Sequence, residues 1–126
     1  MKIRSAIVVA GLLATGAAMA GALDECNLRG DQATVMRCLA EADRDAQDQL
    51  NRIEGEVARK ARELDTATGR PLAAPALARS MREFGNYRKA QCEFVRAMYT
   101  GGVRAEQAQL GCMVDMTRRR LRDLQN

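Results

Sequence analysis

Four cysteines and a short series of carboxylates are the residues of this chain whose types and spacing could do chemistry. Cys26, Cys38, Cys92 and Cys112 are separated by 12, 54 and 20 residues. That spacing lacks the close pairs of a zinc ribbon and the C-x-x-C of a thiol-exchange site. The sequence contains no histidine, which removes Ser-His and Cys-His nucleophilic pairs, most catalytic zinc sites and covalent haem attachment. It also has no G-x-S-x-G elbow and no glycine-rich phosphate loop,. Glu41 with Asp45, or Asp45 with Asp48, could in principle do acid-base work. These acids alternate with arginines along a face that helical phase makes solvent-facing, so their reading is structural. The expectation is a non-enzyme with no catalytic residue, no metal and no cofactor.

The N-terminus sets the redox context of the thiols. Lys2 and Arg4 precede an apolar run from Ala6 to Ala14, and small residues follow with A-x-A spacing at Ala18-Met19-Ala20 and Ala20-Gly21-Ala22. This order describes a secretory signal peptide over residues 1–22, cut after Ala20 or Ala22. The apolar run is short of the roughly 20 residues a spanning helix needs. Leu23 is followed by Asp24-Glu25-Cys26, and two acids in that place argue against lipid attachment. The expected product is a single domain, 23–126, periplasmic or secreted and not inserted in a membrane. Loss of Lys2 and Arg4 takes the formal charge from +4 to +2. In a small exported chain an even number of cysteines reads as a disulfide framework.

The elements that must position these residues are helical. Asp31 can cap a helix whose apolar positions recur as Val35, Cys38, Leu39, Ala42, Ala46, Leu50, Ile53, Val57, Ala61 and Leu64,. Thr66, Thr68, Gly69, Pro71 and Pro75 predict a loop over 65–75. A second helix carries Leu77, Met81, Phe84, Tyr87 or Arg88, Gln91, Val95 and Met98 inward and ends at Gly101-Gly102,. A third runs from about Ala105 to the end, with Leu110, Met113, Val114, Thr117, Leu121 and Leu124 inward,. The fold class is all-α: a small disulfide-stabilised bundle of about three main helices, the first long and the last two an αα-hairpin.

Topology then chooses among the three possible cysteine pairings. Cys92 and Cys112 lie ten residues either side of Gly102, so an antiparallel hairpin turning there brings them opposite each other. Cys26 precedes the cap of the first helix by five residues and can fold back onto Cys38. The pairing expected is Cys26 with Cys38 and Cys92 with Cys112. The run Arg118-Arg119-Arg120 with Arg122 invites an anionic-surface reading. Export and the lack of an aromatic platform argue against nucleic acid, and cations also suit the end of a last helix.

The chain from Cys26 to Leu124 resembles the lysozyme inhibitor LprI-like family of exported bacterial proteins. The carriers are Cys26 and Cys38, Asp48-Gln49-Leu50-Asn51, the run from Phe84-Gly85-Asn86-Tyr87-Arg88 to Gln91-Cys92, Gly101-Gly102, Cys112, and Thr117-Arg118-Arg119-Arg120 with Leu124. Two departures are Phe84, where the family usually has tryptophan, and Arg52-Ile53, near which an aromatic residue is common. The resemblance implies a binding protein whose partner is lysozyme or another envelope protein. It singles out Asn51, Tyr87, Arg88, Thr117 and Arg120 as recurrent polar residues on or beside apolar faces. Such groups predict a hydrogen-bonded network between the helices. As a binding site they would act mainly through Tyr87 and Arg88. An inhibitor needs a plug, and the Asp65–Pro75 loop and the Thr100–Glu106 turn are the candidates; the alternative is an envelope module that binds through its basic last helix.

Overall fold

The computed structural model of the chain describes residues 21–126. The expected signal peptide therefore lies outside the described residues, apart from Gly21 and Ala22. Four helices follow in order: α1 (Ala22–Asn27), α2 (Gln32–Thr68), α3 (Ala73–Ala97) and α4 (Val103–Gln125), with no strand among the described residues. The protein is an all-α bundle in which α4 packs against each of the other three helices.

Local chemistry explains where the long helices start and stop. The Asp31 carboxylate accepts the Thr34 N–H at 2.9 Å, capping α2,. At 37 residues, α2 is about 55 Å long,. It ends at Gly69, whose φ of +65° suits a residue without a Cβ,. The connection expected over 65–75 is only residues 69–72. Thr66 and Thr68 do not break α2, because their hydroxyls donate to the Arg62 and Leu64 carbonyls one turn back,. Pro75 is the third residue of α3, where a missing N–H leaves no helical bond unmade,. At the other end, α4 begins at Val103, two residues before the expected Ala105.

The helices run up, down and up. Asp43 meets Arg88, Cys92 meets Cys112, and Glu54 lies beside Arg120, so α3 is antiparallel to both neighbours and α2 is parallel to α4. Arg120 is five residues from the end of α4, while Glu54 is fourteen from the end of α2. Nine residues of α2, about 13 Å, therefore continue past α4 and form a two-helix tip with the start of α3.

The core centres on Ala22, Cys26, Val35, Leu39 and Val114. Leu39 and Val114 are fully buried, each stabilising the fold by about 2 kcal/mol,. The short α1 was not expected, and six residues do not hold a helix unaided,. It is tied to α2 by Cys26–Cys38, and to α4 by Ala22 N–H donating to Asp115 Oδ1 at 2.9 Å and by Arg118–Glu25 at 2.9 Å. Gly111 lets it approach, since a Cβ there would lie 3.1 Å from that of Leu23.

Candidate functional site

Both disulfides join the expected partners, Cys26 to Cys38 and Cys92 to Cys112, with Cα separations of 5.7 and 5.6 Å. Of the five recurrent polar residues, the structure brings three inside and leaves two outside. Arg88 on α3 bridges the bundle: its Nη2 donates to Asp43 Oδ1 on α2 at 2.7 Å and its Nε to the Met113 carbonyl on α4 at 3.3 Å. Thr117 is fully buried and its hydroxyl donates to the same carbonyl at 2.8 Å. Arg120 points inward from α4, where Nη2 donates to Ser80 Oγ at 3.0 Å and the guanidinium lies 5.5 Å from the centre of the Phe84 ring,. Its Nε is 3.8 Å from Glu54 Oε1 and has no hydrogen-bond partner among the described residues.

Asn51 is exposed and only accepts from Gln47 on its own helix. Tyr87 is 61 % exposed, so the inward position shared between Tyr87 and Arg88 belongs to Arg88. Glu54, Asp43, Ser80 and Asp115 are the partners that sequence reasoning missed. Glu54 carried a usable signal: it falls four residues after Leu50 and three before Val57, on the inner stripe of α2. Burial pushes its carboxyl above the ordinary value, against the opposing pull of Arg120,.

Glu41, Asp45 and Asp48 are exposed on α2. With Glu25, Arg44 and Arg118 they line an open groove of about 640 Å³ beside the Cys26–Cys38 bridge. Its charges are mixed in sign and Arg118 is already engaged by Glu25, so it presents no isolated acid-base pair. Among the described residues no group of three His, Cys, Asp or Glu side chains converges on a metal position. The basic run of α4 is divided in the same way. Arg118 is paired and Arg120 is internal, leaving Arg119 and Arg122 as the members without an ion-pair partner among the described residues.

The most distinctive surface is at the α3–α4 end. Phe94 is 58 % and Met98 71 % exposed, one turn apart, and Tyr87 lies two turns before Phe94 on the same face,. Tyr99 and Val103, also exposed, flank the turn. Gly101 and Gly102 make that turn with φ of +100° and +75°, conformations in which other residues are strained,. The Cys92–Cys112 bridge crosses the hairpin behind it, and Arg96 donates to Gln109 between bridge and turn. The opposite tip shows only Leu64 and Leu72 among its large apolar side chains.

The class is thus a disulfide-braced all-α bundle with an apolar edge on its α3–α4 hairpin and with its buried polar groups used to join helices. The sequence matches the family described as lysozyme inhibitor LprI over residues 26–124, and the chain belongs to that family. No curated protein and no solved structure matches it. The disulfides point to an oxidising compartment outside the cytoplasm,, and no described helix is long and apolar enough to cross a membrane.

Proposed function

We propose that the chain is exported, loses an N-terminal signal peptide, and inhibits lysozyme or a related cell-wall-degrading enzyme by steric occlusion, seating its α3–α4 end across the enzyme's cleft. The family supplies the target class. The observation that carries the choice of surface is the exposed Phe94–Met98 edge beside a turn fixed by two glycines and a disulfide. Exposed apolar patches of this kind mark interaction sites, and a rigid scaffold loses little entropy on docking. The alternative, attachment to an envelope component through the last helix, has less to stand on, because two of its four arginines are engaged within the fold.

The test is a cell-wall clearing assay in which oxidised protein is titrated against lysozymes of different types. Stoichiometric inhibition is expected, with Phe94→Ser plus Met98→Ser weakening it by about 30-fold, the scale of a lost hot spot. Substituting Arg119 and Arg122 is expected to leave it unchanged. No inhibition by the intact protein at large molar excess would sink the proposal.

A further inference from the structure

The contact between Gly21 and Asp115 is unusual in what it excludes. A Cβ on Gly21 would fall 2.8 Å from Asp115 Oδ2. That is closer than a carbon can sit, yet it is the distance at which an ammonium nitrogen donates to a carboxylate. The other oxygen of the same carboxylate, Oδ1, already accepts the Ala22 N–H at 2.9 Å.

We infer that Asp115 is the receptor for the new amino terminus released when the chain is cut between Ala20 and Gly21. The inference rests on the export reading above. A signal-removing peptidase hydrolyses the Ala20–Gly21 amide: water supplies the hydroxyl to the Ala20 carboxyl and a hydrogen to the Gly21 nitrogen, which then takes up a proton. While that amide is intact the nitrogen of Gly21 is uncharged. Once it is cut, rotation of about 120° about the Gly21 Cα–C bond exchanges the positions of its substituents. The α-ammonium then occupies the place from which a carbon is barred. Asp115 binds both the ammonium and the Ala22 N–H, one on each oxygen.

The alternative cut, after Ala22, removes what the structure buries. Ala22 is 0 % exposed within the core, and its N–H is the donor to Asp115. Losing it strips a core side chain and empties the carboxylate of its described donor. The rest of α1 is already fixed from behind by Cys26–Cys38 and by the close approach of Leu23 to Gly111. The amine–carboxylate pair fixes its leading end, so processing itself completes the seat of α1 on α4.

The experiment begins by expressing the full 126-residue chain in an exporting bacterium and weighing the oxidised product. A mass corresponding to residues 21–126 is expected. A start at Leu23 overturns this inference and leaves export standing, whereas an uncut chain overturns both. The product is then compared in thermal melts with a chain that retains Ala20, which moves the positive charge one residue away. A fall in Tm of about 5 °C is expected for wild type, shrinking to about 1 °C or less in the Asp115→Asn background. Equal melting temperatures with and without Ala20 in the wild-type background overturn the role given to Asp115, whatever the fate of the Asp115→Asn protein.

Discussion

Arg120 shows how little a polar residue's identity says about its job until its phase on the helix is known. Flanked by Arg119 and near Arg122, it looks like part of a basic surface, yet it is the member that turns inward to Glu54, Ser80 and Phe84. The Glu54–Arg120 pair is long and both side chains are mostly buried, 11 % and 15 % exposed. Two charges so placed stabilise little together, but either one left alone is costly. Arg120→Ala is expected to lower unfolding free energy by about 3 kcal/mol in urea titrations. Because the folded state holds the Glu54 carboxyl above 4.5, folding favours its protonated form. That contribution is complete below about pH 4.5 and is lost as pH rises through the raised value,. Melts from about pH 4 to about pH 8 should show this decline, and Glu54→Gln should flatten it. Arg88 is the opposite case: its 2.7 Å bond to Asp43 and its bond to the Met113 carbonyl leave the guanidinium well supplied. Arg88→Ala, which leaves Asp43 unpartnered at a half-buried position, is expected to cost about 2 kcal/mol,.

Among the elements, Asp65 supplies the side chain that fastens the protruding tip. Its carboxylate accepts the N–H groups of Ala73, Ala74 and Leu72 at 2.8, 3.0 and 3.2 Å, satisfying the free donors at the start of α3,. These bonds, Ala74 first, hold its carboxyl below the ordinary 3.8. Its contribution is therefore present above that value and is lost as pH falls through the depressed one. Asp65→Ala is expected to speed hydrogen exchange at Leu72, Ala73 and Ala74 while leaving exchange around Leu39 and Val114 unchanged. The same residue explains why the connection was misread as longer than it is. Threonines, Gly69 and two prolines in one stretch do resemble a loop, and only a contact made eight residues away shows that both helices run up to Gly69 and Leu72. The three long helices were legible because their apolar positions repeat over many turns, and the disulfides because Gly101-Gly102 placed Cys92 opposite Cys112 while Cys26 lies five residues before the cap of the helix that carries Cys38. Helix α1 was not, since six residues carry too little period and its support comes from Gly111 and Asp115, about ninety positions away,. Within the candidate site, Thr117 was legible on the inner stripe of α4 and Arg88 as one of two neighbours competing for an inner position on α3, whereas Arg120 stood beside the stripe in a basic run. The Phe94–Met98 edge was not legible: the inward period was carried as far as Met98, but Met98 falls on the exposed face of α3 with Tyr87 and Phe94.

For the whole molecule, the two covalent links concentrate at one end. Cys26–Cys38 and Cys92–Cys112 both lie in the half that contains α1, Leu39, Val114 and the α3–α4 turn, while the other half, residues 55–80 with the tip, has none. Replacing Cys92 and Cys112 by serine is expected to cost about 3 kcal/mol in the chain-entropy estimate and to loosen the apolar edge. Clearing assays and urea titrations on that one variant would therefore move together. Replacing Cys26 and Cys38 should cost a similar amount of stability, but should leave inhibition near its wild-type value once the protein is folded, because that bridge joins α1 to α2 and not the two helices of the α3–α4 hairpin. Each bridge is also strictly local in the chain: one joins α1 to α2, the other α3 to α4, and neither spans residues 69–72. The protein is thus two covalently independent hairpin-like halves sewn by a four-residue thread. A single nick in that thread would leave no covalent bond between them, and pieces made and oxidised separately would be candidates for reassembly by complementation, held by the packing of α4 on α1 and α2 and by the Arg88, Arg118 and Arg120 junctions.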